Sequence, residues 1–261
     1  MTCVGKFYYN MDYLSSKHPH PLDEQITFDE PTHTYTINGD DGYLSVTTWV
    51  HSHFSKFDAD KIIDKMMTGR NWSNSKYFGK SKDDIKLMWE VNRDTAAKSG
   101  TELHSDIEKF YNNVPNTNTS VEYSQFENFV KDNSLEPYRT EWTVFDTELK
   151  IAGSIDMTFI LPNGNLMIYD WKRSKGINRN TPYETYSNTD CISHLPDTNF
   201  WHYALQLNMY KTILERNYDK QISKMMLVCL HPDQKNYKLF DVPELEHELS
   251  ELLDIRKAQL E

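Results

Sequence analysis

The sequence predicts a mixed α/β domain in which one helix leads into three successive antiparallel strands, then a second helix and a further strand, with a helical elaboration ahead of this core. Three observations carry that expectation. Apolar and β-branched runs at about Tyr138 to Phe145, Ile151 to Leu161 and Leu166 to Trp171 follow one another with only turn-length interruptions, as antiparallel neighbours do. Helical periodicity brackets them, over Thr101 to Asn112 on one side and Asn199 to Asn217 on the other. At 261 residues with 38% hydrophobic content, the chain can bury one sizeable core. Residues 1–80 therefore read as an N-terminal arm, a small hairpin and helices, and 81–261 as the core with a C-terminal helix, together one compact domain.

Residues 1–25 show no period and are expected to form an irregular arm. Ile26-Thr-Phe and His33 to Ile37 alternate as strands do, and Asn38-Gly-Asp-Asp-Gly42 supplies a turn before Tyr43 to Val46. Helical patterns follow at Thr47 to His53, Ala59 to Met67, Lys82 to Lys98, Thr101 to Asn112 (starting just after Gly100) and Val121 to Asn133. Beyond the three strands, the segment Ser174 to Asp197 is long and polar and contains Pro182 and Pro196, which predicts an exposed functional loop. After the helix at Asn199 to Asn217, strands at Lys224 to His231 and Tyr237 to Asp241 and a terminal helix from Pro243 complete the chain. The sequence contains no internal repeat or low-complexity tract.

The second and third strands of the core carry the chemistry. The turn formers Pro162-Asn163-Gly164-Asn165 separate them, so they are expected to pair as a hairpin. A three-residue loop centred on Asn163 places Asp156 opposite Asp170 with both side chains on one face, about 5 Å apart. A two-residue loop on Asn163-Gly164 would split them between faces. Two carboxylates that close repel, and a hard divalent cation held by both is the usual remedy. Alternation returns Lys172 to the face of Asp170 and sends Trp171 the other way, into the core. Two further pairs sit at helical i, i+4 spacing: His104 with Glu108, and Gln206 with Tyr210. A histidine nitrogen and a carboxylate can complete a metal shell begun by two aspartates.

The order His104, Asp156, Asp170-Trp-Lys172, Gln206-x-x-x-Tyr210 resembles the PD-(D/E)XK nuclease superfamily and, within it, the RecB-like exonucleases. The resemblance is most evident to the mitochondrial genome maintenance exonuclease group, through Ser45-Val-Thr-Thr48, Gly100-Thr-x-x-His104, Gly153-Ser-Ile-Asp156 and Asp170-Trp-Lys-Arg-Ser174, and it spans roughly residues 45 to 240. Ile155 stands where that family has a proline before the first aspartate, and Asp170 where many members have glutamate; neither change removes a ligand.

The resemblance implies a restriction-endonuclease-like core of order α-βββ-α-β and a metal-dependent DNA exonuclease that hydrolyses phosphodiester bonds from single-stranded ends, in DNA replication, recombination or repair. It implies Mg²⁺ or Mn²⁺ held by Asp156 and Asp170, with His104 as a further ligand and the carbonyl of Trp171 as an extra oxygen. Lys172 would orient the attacking water or stabilise transition-state charge, and Glu108 would bind a second metal or hold a water. Gln206 and Tyr210 would position the strand, Tyr210 by stacking. Glu141 and Ser174 also fall at family-like positions. A duplex endonuclease would use the same residues, and a non-cleaving DNA-binding module is disfavoured because every expected catalytic residue type is present. Compact nucleases of this kind are common in phages and large DNA viruses.

A net charge of −11 counts against nucleic acid as a partner, but placement matters more than the total. Lys172, Arg173, Lys175 and Arg179 fall in an acid-free stretch from Trp171 to Asn180, expected to form a positive rim beside the metal pocket. Lys76, Lys80, Lys82 and Lys86 mix with Asp83 and Asp84 and read as a solvated face. Cys3, Cys191 and Cys229 are far apart with no Cys-x-x-Cys, which suits a reducing compartment and argues against zinc and against a four-cysteine iron–sulfur cluster. With no membrane-length apolar run and no signal peptide, the protein is expected to be soluble and intracellular.

Overall fold

The computed structural model describes residues 11–181 and 183–261; Cys3 and the start of the expected arm lie outside them. In chain order the elements are α1 (Tyr13–Lys17), β1 (Ile26–Asp29), β2 (Thr34–Ile37), β3 (Leu44–Ser45), α2 (Val46–Ser52), α3 (Ala59–Met67), α4 (Lys82–Tyr111), α5 (Val121–Asp132), β4 (Glu136–Asp146), β5 (Ile151–Ile160), β6 (Leu166–Arg173), α6 (Asn199–Asn217), β7 (Ile222–Leu230), β8 (Lys238–Asp241) and α7 (Glu246–Ala258).

β4, β5 and β6 pair antiparallel, α6 crosses over to bring β7 parallel to β6, and β8 returns antiparallel on β7. The two residues of β3 pair parallel with the start of β5. The result is a mixed six-stranded sheet, with β1 and β2 as a separate hairpin. Strand alternation loads both faces. Met157, Phe159, Met167, Tyr169, Trp171, Met226 and Val228 meet Leu103 and Ile107 of α4 and Phe126 and Phe129 of α5. Ile168, Leu227 and Cys229 join the core of α6, α2 and α7.

Three expectations are corrected. The patterns on either side of Gly100 form one 30-residue helix, α4, started by a capping box between Ser81 and Asp84. Gly100 costs this helix about 1 kcal/mol relative to alanine, which the packing of both its ends offsets. Ile85 joins a small satellite core with Ile63 and Tyr77, while Leu103, Ile107 and Tyr111 join the main core. Between them, Val91 to Lys98 is exposed on every side, so the middle of α4 is a strut.

From residue 11 onward the arm is built rather than irregular. Asp23 accepts from Arg139 (2.7 Å) and from the Trp142 indole (3.0 Å), tying it to β4, and Leu14 of α1 is buried. The segment 174–197 is anchored through its second half. Ile192 and Leu195 are buried, and the Ser187 hydroxyl donates to the His53 carbonyl at 2.7 Å. Its tip is open, with Tyr183 74% exposed. No helix among the described residues is long and apolar enough to cross a membrane.

Candidate active site

The site lies where β5 and β6 part. Their ladder runs from Ile160 with Leu166 to Met157 with Tyr169, the register of the three-residue loop, and one further step sets Asp156 across from Asp170. There the ladder stops. The Trp171 N–H donates to Asp156 Oδ2 at 2.9 Å, while the other edge of β6 stays paired with β7 as far as Arg173. On the far side of β5, Thr140 pairs with Met157 and Trp142 with Ile155, which leaves Glu141 across from Asp156. Glu141 has φ of 42°, a left-handed conformation rare for glutamate, at the step where it meets the site. Three carboxylates thus lie at one level on three neighbouring strands.

α4 brings His104 to the same point. Its Nε2 lies 2.8 Å from the Trp171 carbonyl oxygen and donates to it. Nδ1 is 3.5 Å from Asp156 Oδ2 and 3.9 Å from Glu141 Oε1. One ligand atom each from His104, Glu141 and Asp156 lies within 4.8 Å of the others. Asp170 is buried beside them. Lys172 Nζ sits 2.7 Å from its Oδ2 but off the hydrogen-bonding direction, so that oxygen has no donor. The same ammonium lies 4.4 Å from the centre of the Tyr203 ring.

Burial, then the charges of Asp156 and Glu108, push the Glu141 carboxyl up to about 8. Burial likewise pushes Asp170 up to about 6, against the opposing pull of Lys172. Burial alone would lower Lys172, but the carboxylates of Asp170 and Asp156 outweigh it and hold it above its ordinary value. Glu108, one turn beyond His104, is raised by burial. The cluster therefore holds more carboxylates than Lys172, the one cation facing it among the described residues, can balance, and one of its buried oxygens, Asp170 Oδ2, accepts no hydrogen bond. A divalent cation fits both features, and a donor set of carboxylates with a single imidazole favours a hard ion over zinc.

The remaining predicted residues fall differently. The Gln206 amide donates to the Tyr210 hydroxyl at 3.3 Å, but Tyr210 is 3% exposed and has no free face on which a base could stack. Its ring occupies the space left by Gly153, where a Cβ would come within 2.7 Å of Tyr210 Cε1. Gly153→Ala is accordingly expected to cost about 1–3 kcal/mol through overpacking, measured by urea unfolding.

The expected positive rim is mostly neutralised by acids from elsewhere in the chain. Arg173 is bound to Glu122 at 2.7 Å and Lys175 to Asp233 at 2.9 Å, while Arg179 covers the Phe200 ring. Ser174 turns inward, its hydroxyl donating to the Gly176 carbonyl. Of the four rim cations, Lys172 alone faces the carboxylates. Two contributors had no assigned role in the sequence reading: Ser154, which donates to Glu141 Oε2 at 3.0 Å, and Tyr203. Both were findable by spacing, since Ser154 is two residues from Asp156 along a strand and Tyr203 is one helical turn before Gln206.

The sequence matches no protein-family model and no curated protein. Among solved structures, the protein SSO0001 matches over 85% of this chain and 78% of its own, with 15% identity and a TM-score of 0.36. A Eubacterium rectale protein that carries the provisional name of an exonuclease matches over 84% of this chain and 79% of its own, with 12% identity and a TM-score of 0.39. Both TM-scores are below 0.5, so neither likeness carries weight for activity.

The raised carboxyls predict a pH dependence. An acid whose native pKa lies above its unfolded value binds more protons in the fold, so stability falls as pH rises between the two values. For Glu141 that window runs from 4.5 to about 8, and for Asp170 from 3.8 to about 6. With chelator present, the melting temperature should fall from pH 5 to pH 8.5. Glu141→Gln should flatten the slope above pH 6, and saturating Mn²⁺ should flatten it throughout. A melting temperature that rises over this range in chelator would refute the assignment.

Proposed function

We propose that this chain is a metal-dependent deoxyribonuclease of PD-(D/E)XK type that degrades DNA from single-stranded ends. One observation carries the reading: His104, Glu141, Asp156, Asp170 and Lys172 converge where β5 and β6 separate, in the chain order of the motifs that this superfamily shows. Asp156, Asp170, Glu141 and His104 would hold Mg²⁺ or Mn²⁺, with the Trp171 carbonyl beside them. The bound cation would polarise a phosphoryl oxygen and lower the pKa of an attacking water.

The protein's own groups set up the rest. Asp170 and Tyr203 keep the Lys172 ammonium charged and aimed into the cluster, where it meets the negative charge that builds on a pentavalent phosphorus. Ser154 fixes one Glu141 oxygen, which turns the other toward His104 and Asp156. Glu108 is placed to hold a water at the edge of the cluster. Preference for ends and for single strands rests on the family resemblance.

End-labelled linear DNA and closed circles, each single- and double-stranded, incubated with Mg²⁺, Mn²⁺ or chelator, test every part of this reading. Linear single strands should be shortened only with metal, while circles persist. Circles cut as fast as linear strands would make the enzyme an endonuclease, and no metal-dependent cleavage of any substrate would end the nuclease reading.

A further inference from the structure

The satellite lobe holds a second feature suited to DNA. α3, the 3-10 turn Trp72–Asn74 and the first turns of α4 pack on a small core of their own, joined to the sheet by the unpacked strut of α4. Ion pairs of Lys86 with Asp60 and of Lys82 with Asp64 fasten α3 to α4. From Lys86 to His104 the helix rises about 27 Å at 1.5 Å per residue. On the surface of this lobe, a hollow of about 810 Å³ is bounded by Lys65, Arg70, Asn71 and Trp72, and by Tyr183 at the tip of the 174–197 segment.

No carboxylate lines the hollow, in a chain that carries 39 acidic residues against 28 basic ones. Lys82, Lys86, Arg93 and Lys98, in the same stretch of chain, are each paired with an acid. Among the described residues, Lys65 and Arg70 have no carboxylate within salt-bridge distance. Tyr183 stands 74% exposed, with Lys65 Nζ 5.8 Å from its ring centre. Trp72 is held edge-on by Phe78 at 5.9 Å. Exposed aromatic faces next to unpaired cations are the two parts of a single-strand site: one stacks a base of any identity, and the other meets the phosphates beside it.

We infer that this hollow is a strand-holding subsite that binds one nucleotide unit of single-stranded DNA, with the base on Tyr183 and the phosphates on Lys65 and Arg70, at a distance from the cleavage site. The inference rests on the nuclease reading for its substrate class. It also supplies the cationic contacts that the paired rim beside Lys172 does not offer.

Binding in chelator tests it without cleavage. Fluorescence anisotropy would follow a labelled oligothymidylate of about 25 nucleotides, long enough to cover both sites, with an abasic strand and a duplex of equal length as controls. Tyr183→Ala should weaken oligothymidylate binding about tenfold, the low end for loss of one stacked base, and Tyr183→Trp should restore it. The abasic strand should bind more weakly and be indifferent to Tyr183. Lys65→Ala with Arg70→Ala should weaken both single strands and lower the slope of log affinity against log salt by about 1.4, or 0.7 per cation lost. Thymidine monophosphate, which lacks the rest of the strand, should not displace the oligonucleotide at equal concentration.

Wild-type affinity in both variants, equal losses on duplex, loss from the cation pair alone, or displacement by the mononucleotide would each overturn the inference. Because the readout is binding, the two claims fail separately. Metal-dependent cleavage with unaltered binding in the variants removes the subsite alone, and altered binding without any cleavage removes the nuclease alone.

Discussion

Asp156→Ala and Asp170→Ala should each lower cleavage on the order of 10³-fold or more, while the metal-free protein remains folded. The reason for both halves is the same. These carboxylates lie among others with too little positive charge to neutralise them, and burial first, then the neighbouring charges, pushes Glu141 and Asp170 above their ordinary range. Removing one acid relieves repulsion in the metal-free protein and removes a ligand from the metal-bound one. The two variants should differ in one respect. Asp156 accepts the Trp171 N–H, so Asp156→Asn, which keeps an acceptor there, should melt higher than Asp156→Ala; Asp170→Ala instead leaves the buried Lys172 ammonium without its carboxylate. Calorimetric titration with Mn²⁺ decides the matter. Undiminished Mn²⁺ affinity in either alanine variant would end the shared-site reading, whatever happened to activity.

Local pattern was enough for much of the scaffold. α3 and α6 run over Ala59–Met67 and Asn199–Asn217, the spans that periodicity predicts, because each has an apolar stripe and clear ends. The β5–β6 register was legible to within two alternatives, since loop length sets it, and the structure adopts the one that brings Asp156 level with Asp170. Interactions between distant parts of the chain were not legible. Gly100 reads as a helix start, yet a glycine penalty of about 1 kcal/mol is small beside the packing of Leu103, Ile107 and Tyr111. The two residues of β3 pair with β5 more than a hundred positions away, and nothing in Leu44-Ser45 announces it.

The site shows the same division. His104, Asp156, Asp170 and Lys172 follow from spacing and order, whereas Glu141 needs the β4–β5 register as well. Once Thr140 is known to face Met157, Glu141 must face Asp156, and its left-handed backbone marks the place. The pairing of the expected charge rim was hidden for a related reason. An acid-free stretch of sequence says nothing about acids that fold onto it, and Glu122 reaches Arg173 from α5 while Asp233 reaches Lys175 from beyond β7. Glu122 is itself buried, so Arg173→Ala would strand a carboxylate and act on stability before it acted on DNA.

That pairing isolates Lys172 as the cation available to the reacting centre. Lys172→Ala should lower kcat by on the order of 10²–10³-fold and leave the affinity for a single strand, measured in chelator, within about threefold of wild type. Its ammonium is held in place by Asp170 at 2.7 Å and by the Tyr203 ring, so it cannot swing out to follow a phosphate along the strand. A charge fixed at one point and buried is worth most where new negative charge appears, in the transition state, and little where a flexible polyanion merely passes. Tyr203→Phe, which keeps the ring face, should retain most of the turnover, whereas Tyr203→Ala should lower it by loosening the lysine. Single-turnover rates and anisotropy on the same variants separate the two effects. If Lys172→Ala weakened binding as much as it slowed turnover, the lysine would be an ordinary phosphate contact, and the charge at the reacting phosphorus would have to be met by the metal ligands alone.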